Sequence, residues 1–154
     1  MVYDNNNGGE YAKYFIQQLQ EPASMSAPSE FRTLYQKFAK RILWMDSDVC
    51  PGAFQMNTAW YFNVPERDPI FTEHSHPYCE LIGFYGSDPA DPYNLNGEII
   101  FSINGEAHRL TRSTLIFLPP EAKHNPMRIM RVDKPIFHVS VVPNSTYDGG
   151  DTYK

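Results

Sequence analysis

HSHPYCELIGFY, residues 74–85, places two histidines and a glutamate within seven positions, directly ahead of an apolar run. Side chains of an extended chain alternate between faces, so the even-numbered His74, His76 and Glu80 converge on one side of a sheet. Pro77 has no N–H to give to a ladder and marks an edge, bend or bulge between them. Tyr78 shares their parity, and its phenol is a candidate catalytic proton donor or, with a cation lowering its pKa, a base. Cys79 has the opposite parity and points away. A His-x-His pair alone is common on exposed strands, so its meaning depends on the surrounding chain.

That surrounding chain reads as β-structure. From Arg41 onward, RILWMD, FQMNTAWYFN, CELIGFY, GEIIFSI, EAHRL, STLIFL, MRIMRV and IFHVSVV are short β-branched or aromatic segments separated by Pro, Gly, Asn and Asp. Such a density of strands predicts an antiparallel sandwich or barrel in preference to alternating β/α units. Asn104-Gly105 signals a tight hairpin, because both residues tolerate the positive φ of a type I′ turn. GSDPADPYNLNG, residues 86–97, reads as a long exposed loop. Ahead of the strands, AKYFIQQLQ (12–20) predicts a short helix, EPASMSAPS (21–29) a connector, and SEFRTLYQKFAK (29–40) a second helix capped by Ser29. The expected organisation is an N-terminal extension with short helical segments over residues 1–40, one β-domain over 41–142, and a polar tail over 143–154.

A second polar element follows the strand LIFL, where PPEAKH, residues 119–124, closes a proline turn on His124. His124 is therefore a candidate fourth ligand from a neighbouring strand. Three imidazoles and one carboxylate suit a divalent transition metal (Fe, Mn, Ni, Cu or Zn), and the lack of thiolates argues against a soft cysteine site. Such a set leaves room for an open coordination position.

HSHPYCE and PPEAKH together resemble the cupin superfamily. Its first motif runs His-x-His, three or four residues, then Glu, and its second ends in Pro-x-Gly-x-x-His. The resemblance covers residues 41–142. It departs in the turns: Asp68 stands for the glycine six before the first histidine, Glu121 for the glycine of the second motif, and Arg128 for an asparagine after it. The resemblance implies a mainly β, double-stranded β-helix (jelly-roll) barrel with a metal bound by His74, His76, Glu80 and His124. It also implies a homodimer, since such barrels often pair.

Other residues carry weaker signals. Phe137, Val139 and Val141 share one face of their strand and His138 and Ser140 the other, so His138 becomes a pocket candidate if that second face lines the barrel. Tyr61 and Tyr85 are further pocket candidates. Lys123, Arg128 and Arg131 read as solvated cations, with carboxylate binding as the alternative. His108 reads as a surface residue.

Three function classes are compatible with these residues. They are a Lewis-acid metalloenzyme (isomerase, lyase or decarboxylase) on a small oxygenated molecule, a metal-dependent dioxygenase, and a non-catalytic binding or sensor barrel. The 154-residue length fits one domain, and the net charge of −5 argues against nucleic-acid or anionic-membrane partners. MVYDNNNGGE lacks the basic start and apolar stretch of a secretory signal, which leads to the expectation of a cytoplasmic protein with a small-molecule substrate. Two cysteines, Cys50 and Cys79, without C-x-x-C spacing, read as reduced thiols.

Overall fold

The computed structural model describes residues 2–3 and 8–144. The expected polar tail therefore lies outside the described residues from 145 on. Eight strands form where eight were read: β1 Ala39–Met45, β2 Gln55–Tyr61, β3 Glu80–Gly86, β4 Asn94–Ile103, β5 Glu106–Arg112, β6 Thr114–Leu118, β7 His124–Val132 and β8 Ile136–Val142. They build a five-stranded sheet in the order β1-β2-β8-β3-β6 and a three-stranded sheet in the order β5-β4-β7. Every paired neighbour is antiparallel. The result is a jelly roll whose two sheets share one core. Among the described residues, no helix is long and apolar enough to cross a membrane.

Alternation decides what faces that core. On β3 the even residues Glu80, Ile82 and Phe84 are buried while Leu81 and Tyr85 are exposed, and on β2 the odd residues Gln55, Asn57, Ala59 and Tyr61 are buried. Across the five-stranded sheet this gives three inward rows. Gln55 pairs with Val142 at one level, Asn57 with Ser140 and Ile82 at the next, and Arg41 with Ala59, His138 and Phe84 at the third. Phe84 meets Phe101 of the opposite sheet with ring centroids 6.2 Å apart. Fully burying a side chain of this size contributes about 1.5–3 kcal/mol.

Two elements depart from the sequence reading. AKYFIQQLQ forms only a single 3-10 turn, Ala12–Tyr14, because Tyr14, Phe15 and Leu19 remain exposed and a nine-residue helix with no apolar face buried is marginal in water. The expected connector instead holds a short helix, α1 Ala23–Ser26. The second helix forms as α2 Glu30–Tyr35, with the Ser29 hydroxyl accepting from Arg32 N at 3.0 Å, and it stops early because the chain turns into β1 at Ala39. Its buried Phe31 and Tyr35 join the core. The expected 86–97 loop is also shorter: β4 starts at Asn94, and Leu95 is fully buried. Gly86 makes this possible, since a Cβ there would lie 1.9 Å from the Asn94 carbonyl oxygen.

The turn that carries the second motif is tied to the β4–β5 hairpin turn. Asn104 and Gly105 take φ values of 48° and 81°, as the hairpin signal requires. Asn104 N then donates to Lys123 O at 2.7 Å, and Asn104 Oδ1 accepts from Lys123 N at 3.0 Å. Glu121, in the motif's glycine position, sits at φ 66°. A left-handed non-glycine residue costs about 1–2 kcal/mol, part of which glycine returns through the entropy of the unfolded chain. Glu121→Gly is therefore expected to raise stability by about 0.5–1 kcal/mol, and Glu121→Val to lower it, in urea unfolding.

Candidate metal centre

The His-x-His segment is not a regular strand. Residues 72–79 run irregularly between β2 and β3, and His74 is held by an isolated bridge to His124 at the start of β7. His74 N donates to His124 O at 3.1 Å and His124 N to His74 O at 2.9 Å, while Glu121 N donates to His76 O at 2.9 Å. This reciprocal pair sets the two imidazoles side by side, with ring centroids 4.3 Å apart. The bend at Pro77 leaves the alternation intact, and His76 and Glu80 are both buried. His74, His76 and His124 each offer a ring nitrogen, all within 4.8 Å of one another. Both motifs thus meet at one point of a five-plus-three-stranded jelly roll. The chain has the cupin fold.

No protein-family model matches the chain, and no curated protein matches it. Solved structures are similar to it at low identity. KdgF from a Halomonas species is 14% identical over 71% of this chain and 79% of that chain, with a TM-score of 0.42. An RmlC-like cupin from Shewanella frigidimarina is 16% identical over 68% and 76%, with a TM-score of 0.41. Oxalate oxidase in complex with the substrate analogue glycolate is 13% identical over 82% and 60%, with a TM-score of 0.47.

Hydrogen bonds fix the tautomers of the three rings. His74 Nδ1 donates to Thr72 O at 3.1 Å, His76 Nδ1 to Tyr78 O at 2.7 Å, and His124 Nδ1 to Ala122 O at 3.0 Å. A carbonyl oxygen can only accept, so each Nδ1 carries hydrogen and Nε2 is the ring nitrogen left as ligand atom. Glu80 stands against two of these rings. Its Oε2 lies 3.0 Å from His76 Nε2 and 3.4 Å from His124 Nε2. The second contact lacks hydrogen-bond geometry, and His124 Nε2, fully buried, has no hydrogen-bond partner among the described residues.

Charge follows from this crowding. Burial pushes the Glu80 carboxyl up, but the His124 and His76 rings together outweigh burial and hold it below its ordinary range. Burial likewise disfavours imidazolium at His76, yet the hydrogen bonds to Glu80 and to the Tyr78 carbonyl prevail, and its pKa is raised. At His74 burial wins, and the pKa is lowered. Three convergent lone pairs beside an ionised carboxylate repel unless a proton or a cation lies among them. A divalent ion can be shared by the three ring nitrogens, which lie within 4.8 Å of one another, so the three histidines fit a metal, while Glu80 stands against two of them and outside that group.

The remaining site candidates divide. Tyr61 and His138 line the cavity that opens from the histidine cluster into the barrel. Tyr85 does not: it is odd-numbered on β3, points outward, and packs against Phe137 on the outer face. Tyr78 does not line the cavity either. Its ring lies parallel on the His76 imidazole, 4.2 Å away, because its own carbonyl is the acceptor that turns His76. Lys123, Arg128 and Arg131 are exposed, the last two facing Asp68 and Asp133. His108 is exposed beside Glu106, and Cys50 and Cys79 are free thiols.

Sequence reasoning missed the cation inside the cavity. Arg41 lines it, with its side chain only 8% exposed. Its Nη1 donates to Glu21 Oε2 at 2.6 Å and its Nε to Asn57 Oδ1 at 2.9 Å. Gln55, Asn57 and Ser140 line the same cavity. The alternation that placed His138 extends to all of them once the β2–β8 register is known.

Proposed function

We propose that the protein is a metal-dependent enzyme acting on a small oxygenated molecule by Lewis-acid chemistry of the isomerase, lyase or decarboxylase kind. His74, His76, His124 and Glu80 hold one divalent transition metal in this reading. The observation that carries it is the buried Nε2 of His124, which has no hydrogen-bond partner among the described residues and lies 3.4 Å from the Glu80 carboxylate within the cluster of three histidines. The bound ion supplies electrophilic stabilisation to oxygen atoms on which negative charge develops. The chain's own groups do the rest. The carbonyls of Thr72, Tyr78 and Ala122 lock three rings in the ligating tautomer, and the Tyr78 ring braces His76 from one face. Phe71, Ile82, Phe84, Phe101 and Met127 line the cavity with apolar side chains, beside which electrostatic interactions are stronger than in water.

The test is isotope exchange without oxygen. Metal-loaded protein in D2O is expected to incorporate deuterium next to the carbonyl of small keto acids, and chelation of the metal is expected to stop it. Substrate consumption that strictly requires oxygen would move the reaction to dioxygenation.

A second copy of the chain is the proposed partner. The outer face of β2, β8, β3 and β6 carries no charged side chain among the described residues, and Phe54, Met56, Leu81, Tyr85, Leu115 and Phe117 on or beside it are 37–61% exposed. At roughly half of 150–250 Å² for side chains of this size, the six expose about 600 Å². The half-buried Trp60, Phe137, Val139 and Val141 extend the patch towards the ~800 Å² per partner of a standard interface. Two copies of an uncharged apolar face can meet across a two-fold axis, where the same patch serves both partners.

A further inference from the structure

A second cavity lies outside the barrel, between the N-terminal extension and β1. It measures about 380 Å³, within the range of small-molecule sites, whereas the barrel cavity measures about 60 Å³. Met25, Phe31, Tyr35 and Ala39 are buried and form its apolar floor, and the exposed Leu19 and Phe62 stand at its rim. Phe31 and Tyr35 stack with ring centroids 5.8 Å apart, which gives the floor an aromatic surface. Tyr35 also lines the barrel cavity, so the two spaces are neighbours across that ring.

The charge on this lining is positive in a chain whose net charge is −5. Glu21 is the one acid on it among the described residues, against Arg32, Lys40 and Arg41. Burial pushes the Glu21 carboxyl up, but its hydrogen bonds to Arg32 and Arg41 outweigh burial and hold it ionised. With Arg41 left to its own partners, Glu21 and Arg32 balance, and Lys40 remains. Lys40 is exposed and has no hydrogen bond or ion pair among the described residues. Arg32 engages only Nη1, which donates to Glu21 Oε1 at 2.7 Å and to Met25 O at 2.9 Å, and its side chain is 31% exposed. Its Nε and Nη2 make no hydrogen bond among the described residues. An apolar floor with cationic donors at its edge suits a molecule with one carboxylate and a flat apolar body, since carboxylates take charge-assisted bonds and rings pack on rings.

We propose that this outer cavity is a binding site for a small aryl carboxylate, its ring packed against Phe31 and Phe62 and its carboxylate paired with Lys40 and the unengaged nitrogens of Arg32. The site stands apart from the histidine cluster and does not rest on the metal-enzyme reading.

Calorimetric titrations of the full chain with three probes separate the contributions: phenylpropanoate, phenylpropanol, which lacks the charge, and propanoate, which lacks the ring. Phenylpropanoate is expected to bind at least ~10-fold more tightly than either. Lys40→Gln is expected to weaken phenylpropanoate several-fold and leave phenylpropanol unchanged. Phe62→Ser is expected to weaken both ring-bearing probes and leave propanoate unchanged. Both side chains are exposed, so neither substitution touches the core. Lys37→Gln, whose lysine faces Glu66 away from the cavity, should change nothing. Chelator-treated protein should bind phenylpropanoate as untreated protein does. Equal binding of the three probes, binding of none, or a preference that survives both Lys40→Gln and Phe62→Ser would overturn the proposal. Loss of binding on chelation would also overturn it, because the probe would then sit at the metal centre. The expected preference in protein that takes up no metal would support the outer site and count against the metal reading alone.

Discussion

His124→Ala is expected to lower metal affinity by at least ~100-fold, because a change in the groups that merely orient a ligand already costs about 10–100-fold. His124 is the ligand with most to lose. It bridges His74 through its backbone, which alanine preserves, so the substitution deletes a donor without dismantling the turn. His76→Ala should behave alike and additionally free the Tyr78 carbonyl, whereas His108→Ala, exposed on β5, should change nothing. Stability reports the same event independently. An ion present at 100 times its dissociation constant adds about 2.7 kcal/mol, so chelation should lower the melting temperature of the wild type and leave that of His124→Ala in place. Unchanged metal content in both the His76 and the His124 variant, measured by elemental analysis, would end the proposed coordination.

Much of this centre was legible because its residues sit in patterns that survive local irregularity. Even parity carried His74, His76 and Glu80 to one side although no strand runs through 74–79, since a bent but extended chain still alternates. Where alternation breaks, the sequence falls silent. The bulge between Arg41 and Trp44 lets both face inward although one is odd and the other even, so Arg41 could not be placed by counting along β1. Tyr85 was the opposite case: parity carried from Glu80 puts it outside, and its aromatic character alone made it a pocket candidate. The helix expected over 12–20 failed for want of a partner surface, which local sequence does not encode. Glu121 shows the reverse, a position whose backbone demand persists with a residue poorly suited to it.

The pairing of two copies is the other large expected effect. The wild-type chain should sediment as a dimer at micromolar concentration, and Leu81→Glu combined with Phe117→Glu should raise the dimer dissociation constant by more than ~100-fold. Leu81 and Phe117 face each other directly across β3 and β6, and Val141 continues the row on the other side of Leu81. Each substitution buries a carboxylate against apolar side chains in the dimer and leaves it in water in the monomer, so the penalty falls on association and spares the fold. Met130→Glu supplies the control, because Met130 is comparably exposed, at 45%, but belongs to the three-stranded sheet. Circular dichroism separates dissociation from unfolding: the double variant should keep the wild-type spectrum. A wild-type chain that stays monomeric at tens of micromolar, or a double variant that still pairs as tightly, would leave the apolar face without its second copy.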